Sequence, residues 1–305
     1  MTRPQIAIGP ALSQSAIDAV RAGGGEPARA EGPADGLVWL SPHDPDGLRK
    51  ALAAVDPRWV QLSSAGVDRM AAAELLADDR VWTCAKGSYA EAVAEHALTL
   101  ALAGLRYLPV RIRAASWGHP AGQSLYEEPV TILGGGGIAS GLLRLLAPFR
   151  VRATVVRRSP EPVPGAARTV TTDRLSGALT DAKVVFLALA LTPETTGIIG
   201  ASQLAQMHPD AWLVNVARGR HIDTGALVKA LADEQIGGAA LDVTDPEPLP
   251  DGHPLWTQDR CIITPHTADT EEMSVGSLAG RITENVRRFA AGQPLAGLVD
   301  LAAGY

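Results

Sequence analysis

PVTILGGGGIASGLLRLLAPFRVRATVVRR, residues 129–158, decides the fold. It opens with a short apolar run and breaks at four glycines. Apolar residues at helical spacing follow, and then a second β-branched run. The spacing predicts strand, tight turn, helix, strand. Gly134, Gly136 and Ala139 fit the pattern G-x-G-x-x-A. There the first glycine makes the turn and the second lets a pyrophosphate approach the backbone. The third small residue lets helix pack on strand. Gly137 and Ile138 open the helix, whose N-terminus favours an anion. Dinucleotide binding is therefore expected, with Gly134, Gly136, Gly137 and Ile138 as cofactor contacts.

The second strand says which dinucleotide. A carboxylate about 20 residues beyond the turn would hold the ribose 2′-hydroxyl of NAD. Here that strand ends in Arg157-Arg158-Ser159. Arginine pairs with a 2′-phosphate through parallel hydrogen bonds. The expected cofactor is NADP(H), through Arg157 and Arg158. NAD(H) is the alternative, in which both arginines are merely solvated.

The alternation extends outward in both directions. QIAIG (5–9), GLVWLS (36–41), WVQLSSAGVD (59–68, strand then turn) and VWTCA (81–85) read as strands. Ser13–Ala22, Asp46–Val55 and the long apolar Ala90–Leu105 read as helices. A Gly/Pro-rich break at 118–123 precedes the second block. DAKVVFLALA (181–190), DAWLVNVA (210–217), GGAALDV (237–243) and CIITP (261–265) are further strands, and Glu271–Ala291 is a last helix. Strands alternating with helices predict an α/β protein with two doubly wound parallel-sheet domains. The expected division is 1–99 plus 271–305, and 100–270, the second being a Rossmann dinucleotide-binding domain. Residues 295–305 are too short to form a unit alone.

Composition excludes several classes. A net charge of −6 gives no basic field for nucleic acid, and 4% aromatics offer little for base stacking. The longest apolar run, His96–Leu105, is too short to span a bilayer. The N-terminus lacks the apolar region of a signal peptide. Cys84 and Cys261 have no metal or redox spacing, and no other metal motif occurs. A cytoplasmic protein without membrane or nucleic-acid partners is expected.

Three later runs carry chemistry: VNVARGRHID (214–223), LDVTDPEPLP (241–250) and ITPHTA (263–268). They hold a cation, Arg218, a carboxylate, Glu247, and an imidazole, His266. Reducing a 2-keto acid needs hydride on carbon and a proton on oxygen. An imidazolium donates that proton, a nearby carboxylate favours the charged ring, and an always-protonated arginine polarises the carbonyl. Singly, each residue has an ordinary explanation: a surface arginine, a solvated loop carboxylate, a satisfied loop histidine. Their ordered occurrence behind a glycine turn points to hydride transfer.

With these motifs the chain resembles the D-isomer-specific 2-hydroxyacid dehydrogenase family, which includes glyoxylate/hydroxypyruvate reductases. The resemblance covers nearly the whole chain. It is densest from Ser63 to Pro265 and weakest over the first 58 residues. SSAGVD (63–68), AEAVAEHAL (90–98), LTPETTGIIG (191–200), VNVARG (214–219), LDV and EP within 241–248, and TPH (264–266) match in order. It implies catalytic Arg218, Glu247 and His266, with Arg218 and the backbone of Ala65, Gly66 and Val67 holding the substrate carboxylate. It places Asp242 beside the nicotinamide and Thr192 in the cofactor loop. It also implies an active site in the cleft between the domains, a homodimer, and a small 2-keto or 2-hydroxy acid as substrate, glyoxylate or hydroxypyruvate first.

Departures from the family pattern are Ala190 for a proline, Arg220 and His221 after the Arg218-Gly219 pair, and Arg157 for an aspartate. With the sequence ending at Tyr305, no regulatory domain of the long phosphoglycerate dehydrogenases is expected. Two alternatives stand beside this one. One is the same fold oxidising another donor such as phosphite; the other is a dinucleotide-sensing protein like the corepressors that resemble this family. His96 reads as a packing or domain-junction residue, Tyr89 and Trp117 as core aromatics with the pocket mouth as the alternative, Trp256 as apolar packing near the cleft or a dimer contact, and His221 as a residue able to line the cleft.

Overall fold

A computed structural model describes residues 3–76 and 79–300; of the C-terminal stretch 295–305, residues 301–305 lie outside the described part. The chain divides into two units, Met1–Tyr89 with Thr270–Tyr305, and Ala90–Asp269. Among the described residues no helix is long and apolar enough to cross a membrane.

The first unit runs β1 (Gln5–Gly9), α1 (Gln14–Ala22), β2 (Glu26–Arg29), β3 (Gly36–Trp39), α2 (Pro45–Val55), β4 (Trp59–Leu62), α3 (Asp68–Ala72) and β5 (Val81–Thr83). The strands are all parallel, in the order β2-β1-β3-β4-β5. Successive residues of a strand face opposite sides, and the core divides accordingly. Ile6, Ile8, Val38 and Trp59 pack with α1 on one face. Ala7, Leu37, Trp39, Val60 and Leu62 pack with α2 and Met70 on the other. Helix α2 starts cleanly because the Asp44 carboxylate accepts the Gly47 N–H at 2.8 Å and Pro45 follows it.

The second unit runs α4 (Ala90–Leu105), α5 (Leu108–Arg113), β6 (Pro129–Leu133), α6 (Gly137–Leu146), β7 (Arg152–Val156), β8 (Arg168–Val170), α7 (Leu175–Leu179), β9 (Val184–Leu187), α8 (Ala201–Gln206), β10 (Trp212–Asn215), α9 (Thr224–Ala232), β11 (Gly238–Leu241) and β12 (Cys261–Ile263). Its parallel sheet has the order β12-β11-β10-β9-β6-β7-β8. Strand order reverses at the β6/β9 pair, and ligands of such sheets bind outside the carboxyl ends of the strands at that reversal. Helix α10 (Glu271–Ala290) belongs to the first unit. There Ile282 and Val286 join the α1 face, and Asn285 donates to Gln61 Oε1 at 2.7 Å.

The observed division differs from the expected one at its first boundary, which falls inside α4. The whole helix stays with the second unit for a packing reason. Its Ala94 faces Gly141 of α6, where an added Cβ would sit 2.9 Å from the Ala94 Cβ. Its Gly104 receives the buried Trp212 ring, which a Cβ would meet at 2.3 Å. Strands β2 (EPAR) and β8 (RTV) escaped the sequence pattern. Both are edge strands, so neither carries a doubly buried apolar run. Trp117 is no core residue: it is 97% exposed.

Candidate active site

The cofactor turn is built from absent atoms. After β6, Gly134 has φ +107°, and a Cβ there would lie 2.2 Å from the Ala188 carbonyl oxygen beyond β9. Only glycine fits both restraints. Gly136 N-caps α6 without any side-chain cap, and a Cβ there would meet no atom within 4 Å. Open space beside uncapped helical N–H groups suits a diphosphate. Ala139 is fully buried where the helix meets its surroundings. The residues present therefore fit a dinucleotide.

Arg157 lies along this turn. A Cβ on Gly135 would be 3.0 Å from its Cδ and 3.2 Å from its Nε. Both arginines also act on nearby carboxylates. Glu161 is held below its usual range by the Ser159 hydroxyl, its own backbone and, more weakly, Arg157. Glu194 is held low by the Thr192 hydroxyl, its own backbone and Arg158. Thr192 Oγ1 donates to Glu194 Oε2 at 2.7 Å, and the Thr192 N–H donates to Thr195 Oγ1 at 2.8 Å. The loop carrying Thr192 is braced from below by His221, which is fully buried. Its Nδ1 lies 3.0 Å from the Thr195 carbonyl oxygen and its Nε2 3.2 Å from that of Leu189. His221 is thus a buried brace of this loop, in place of the cleft-lining residue expected.

Arg218 leaves the end of β10 through a turn fixed by buried Asn215, whose Nδ2 donates to the Arg218 carbonyl at 2.8 Å. Its Oδ1 accepts the Ala217 N–H at 3.0 Å. Gly219 then presses on the Thr244 carbonyl, where a Cβ would sit 2.0 Å away. This contact lays the Arg218 turn against the segment leading to Glu247. Glu247 Oε1 lies 2.7 Å from His266 Nδ1, with both side chains 40% exposed. A carboxylate only accepts, so Nδ1 carries the donated proton and Nε2 is left for chemistry.

His266 has φ +52°. Histidine is among the residues enriched in this left-handed region, and two bonds hold it there. Its N–H donates to the carbonyls of Asp242 at 2.8 Å and Thr264 at 3.0 Å. Asp242 is 2% exposed and its side chain gathers the same loop. Its carboxylate accepts from Thr264 Oγ1 at 2.6 Å, Thr267 N–H at 2.9 Å and Ala268 N–H at 3.1 Å. Burial pushes its pKa up. Hydrogen bonds from His96, Thr264 and the two backbone amides more than offset that, and the net shift is downward. Asp269, just past the loop, shifts the other way. Burial raises it and the Asp242 charge adds to the rise; the charges of His266 and Arg218 only partly counter.

Ala65, Gly66 and Val67 belong to the first unit and form a turn of their own. Ser64 Oγ donates to the Gly66 carbonyl at 2.7 Å, the Ala85 N–H donates to the Ser64 carbonyl at 2.8 Å, and Tyr89 Oη donates to the Ser63 carbonyl at 2.5 Å. Tyr89 is therefore a clamp on this turn as well as a packing residue. Ala65 is exposed, while the Val67 side chain is buried.

Within the second unit, Arg218, Glu247, Asp242 and His266 come together, joined by three residues that sequence reasoning did not place there. Asp269 lies within electrostatic reach of Arg218 and His266. Asn215 shapes the arginine turn. His96, read as packing, reaches Asp242 Oδ1 at 3.3 Å. Asn215 and His96 each had a local signal, standing inside the VNVARG and AEAVAEHAL runs, and Asp269 had none. Among the described residues no group of three His, Cys, Asp or Glu side chains could hold a metal ion.

The NAD binding domain of D-isomer specific 2-hydroxyacid dehydrogenases matches residues 96–268. A Corynebacterium melassecola protein of uncharacterised role, from the proB 3′ region, is 43% identical over 255 residues, 81% of this chain and 84% of that one. Glyoxylate/hydroxypyruvate reductase A of Photorhabdus laumondii is 34% identical over 177 residues, 58% of this chain and 56% of that protein's length. The solved D-isomer specific 2-hydroxyacid dehydrogenase of Xanthobacter autotrophicus Py2, in complex with NADPH and MES, is 29% identical with a TM-score of 0.85. All of both chains is covered.

Proposed function

We propose, since the chain belongs to the D-isomer specific 2-hydroxyacid dehydrogenase family, that it reduces a small 2-keto acid, glyoxylate or hydroxypyruvate first, with NADPH in preference to NADH. The oxidoreductase class and the nicotinamide cofactor follow from membership. The substrate, the preference and the residue roles are the proposal.

One observation carries the roles: the 2.7 Å contact between Glu247 Oε1 and His266 Nδ1. It fixes the ring so that Nε2 is the free edge. A bound NADPH supplies the hydride. Arg218 holds the substrate carboxylate and polarises the carbonyl. His266 gives its Nε2 proton to the carbonyl oxygen as carbon is reduced. Glu247 keeps the imidazolium oriented and charge-balanced. Gly134, Gly136, Gly137 and Ile138 take the diphosphate, Thr192 and Asp242 flank the rest of the cofactor, and Arg157 with Arg158 receive the 2′-phosphate. The NADPH complex of the Xanthobacter relative supports the preference.

We also infer a cytoplasmic homodimer. Leu108, Ile112 and Trp117 lie exposed along one short stretch, large apolar side chains of the kind that a second copy covers. Light scattering of Trp117→Ser tests it, with a shift toward monomer expected.

The deciding experiment is initial-rate oxidation of NADPH and NADH, side by side, against glyoxylate, hydroxypyruvate, pyruvate and a bulkier 2-keto acid. Faster turnover with NADPH and the small acids is expected. Faster turnover with NADH would overturn the preference, and no turnover with any acid would overturn the substrate class.

A further inference from the structure

The Asp242 carboxylate receives three of its hydrogen bonds from the segment that carries His266 and a fourth from elsewhere. The fourth is His96, on α4, whose Nε2 lies 3.1 Å from Thr264 Oγ1 and 3.3 Å from Asp242 Oδ1. The tautomer of His96 follows from proton counting. Thr264 has one hydroxyl proton, and its 2.6 Å contact with Asp242 Oδ1 places that proton there. The carboxylate has none to give. Nε2 is therefore left facing two acceptors and must itself carry a proton, shared between Oδ1 and Oγ1. His96 is a donor to the Asp242–Thr264 pair.

Its place in the fold makes that bond a long-range one. Thr264, Thr267 and Ala268 lie in the His266 segment, so their bonds tie the Asp242 carboxylate to that segment, while backbone bonds from Asp242 N–H to the Asn215 carbonyl at 2.9 Å and from Thr264 N–H to the Leu241 carbonyl at 3.0 Å join the main chain to the sheet. Helix α4 packs on α6 through Ala94 and Gly141 and on β10 through Gly104 and Trp212. It is a rigid support, and His96 is its polar link to Asp242. The Asp242 carbonyl in turn accepts the His266 N–H and helps keep that residue at φ +52°.

We propose that His96 is a positioning residue for the reaction: by donating its Nε2 proton to Asp242 and Thr264, it fixes the loop that aims His266 at the substrate, without touching substrate itself. This rests on His266 being the proton donor. The consequence is a dependence on reach and donor chemistry. Glutamine at position 96 can place an N–H where Nε2 stands; asparagine, one bond shorter, cannot.

His96→Gln and His96→Asn separate the possibilities, since both are polar and similar in demand on the fold. With NADPH and glyoxylate, His96→Asn should lose roughly tenfold in kcat, as expected for a misplaced reacting group. Its KM for NADPH should stay within about twofold, and His96→Gln should recover most of the rate. A second readout needs no turnover. The low-field NMR signal of the His266 Nδ1 proton bonded to Glu247 should persist in wild type and His96→Gln and weaken in His96→Asn. If the wild type turns over no 2-keto acid, the reaction assigned above fails, while the NMR signal still decides whether His96 positions His266. Wild-type kcat and an unchanged signal in His96→Asn would overturn the proposal. So would equal losses in both variants, which would make the ring itself, and not its donor, the needed feature.

Discussion

The glycine turn and the His266 loop, proposed above to hold the cofactor and to move the proton, are built by opposite means. The turn works by leaving atoms out. Gly134 has no room for a Cβ beside Ala188, and Gly136 leaves open space before an uncapped helix. Its glycines and its small residue lie within six consecutive residues. The loop works by gathering groups. His266 is placed by Glu247, Asp242 and Thr264, and Asp242 is reached by a histidine 168 residues from Thr264 in the chain. A backbone device should therefore fail through sterics, and a gathered device through chemistry.

The largest expected effect tests the gathered device. His266→Ala should lower kcat by roughly 10²–10⁴-fold, the worth of a positioned general acid, while binding of NADPH, followed by fluorescence titration, stays near wild type. Arg218→Ala should lower kcat and raise the KM for glyoxylate together. Full activity in either variant would dissolve the assignment.

Next is the backbone device. Gly134→Ala puts a methyl group 2.2 Å from a carbonyl oxygen at φ +107°. Overpacking of this kind costs roughly 1–3 kcal/mol, and backbone strain adds to it. We expect a lower melting temperature and cofactor affinity weakened by about tenfold or more. Gly136→Ala meets no atom, so it should melt like wild type and lose affinity only. Equal melting of both variants would erase the steric contrast.

What the sequence made legible follows the same line. The turn was readable because its requirements are local: two glycines, a small residue, a strand before and a helix behind. Most of the sheet was readable for a related reason, since buried parallel strands are apolar runs. Strands β2 and β8 were not, because a single-sided edge needs no such run. Arg218, Glu247 and His266 were readable as ordered motifs. Their supports were not. Nothing around His96 or His221 marks a helix histidine that meets Asp242, or a buried histidine bracketed by two carbonyls, because those partners arrive only with the fold. The expected domain boundary missed for the same reason: an apolar helix does not say which sheet it covers.

Arg157 lies between the two devices, a side chain laid along a backbone turn. Arg157→Ser should reduce kcat/KM with NADPH by about tenfold, the lower range for a lost charge-assisted hydrogen bond, and leave NADH little changed. Glu161 should meanwhile lose part of what holds it low, since the Arg157 charge contributes to it. Equal losses with both cofactors would mean that the arginine shapes the turn and does not read the 2′-phosphate.

The smallest effect concerns the cost of gathering charges. Asp269 has its pKa raised above the ordinary aspartate value, by burial first and by Asp242 besides, against the pull of His266 and Arg218. A carboxyl whose folded pKa exceeds its unfolded one costs nothing below the unfolded value, where it is protonated in both states. The penalty grows as pH rises from about 3.8 through the folded value, and is constant above. Asp269→Asn removes it. The variant should therefore melt at the wild-type temperature near pH 3 and slightly above it at pH 7, with the difference opening in between. A difference of the opposite sign at pH 7 would mean that the attraction of Asp269 to Arg218 and His266 outweighs its burial. The loop would then be held together by its charges and would not be strained by them.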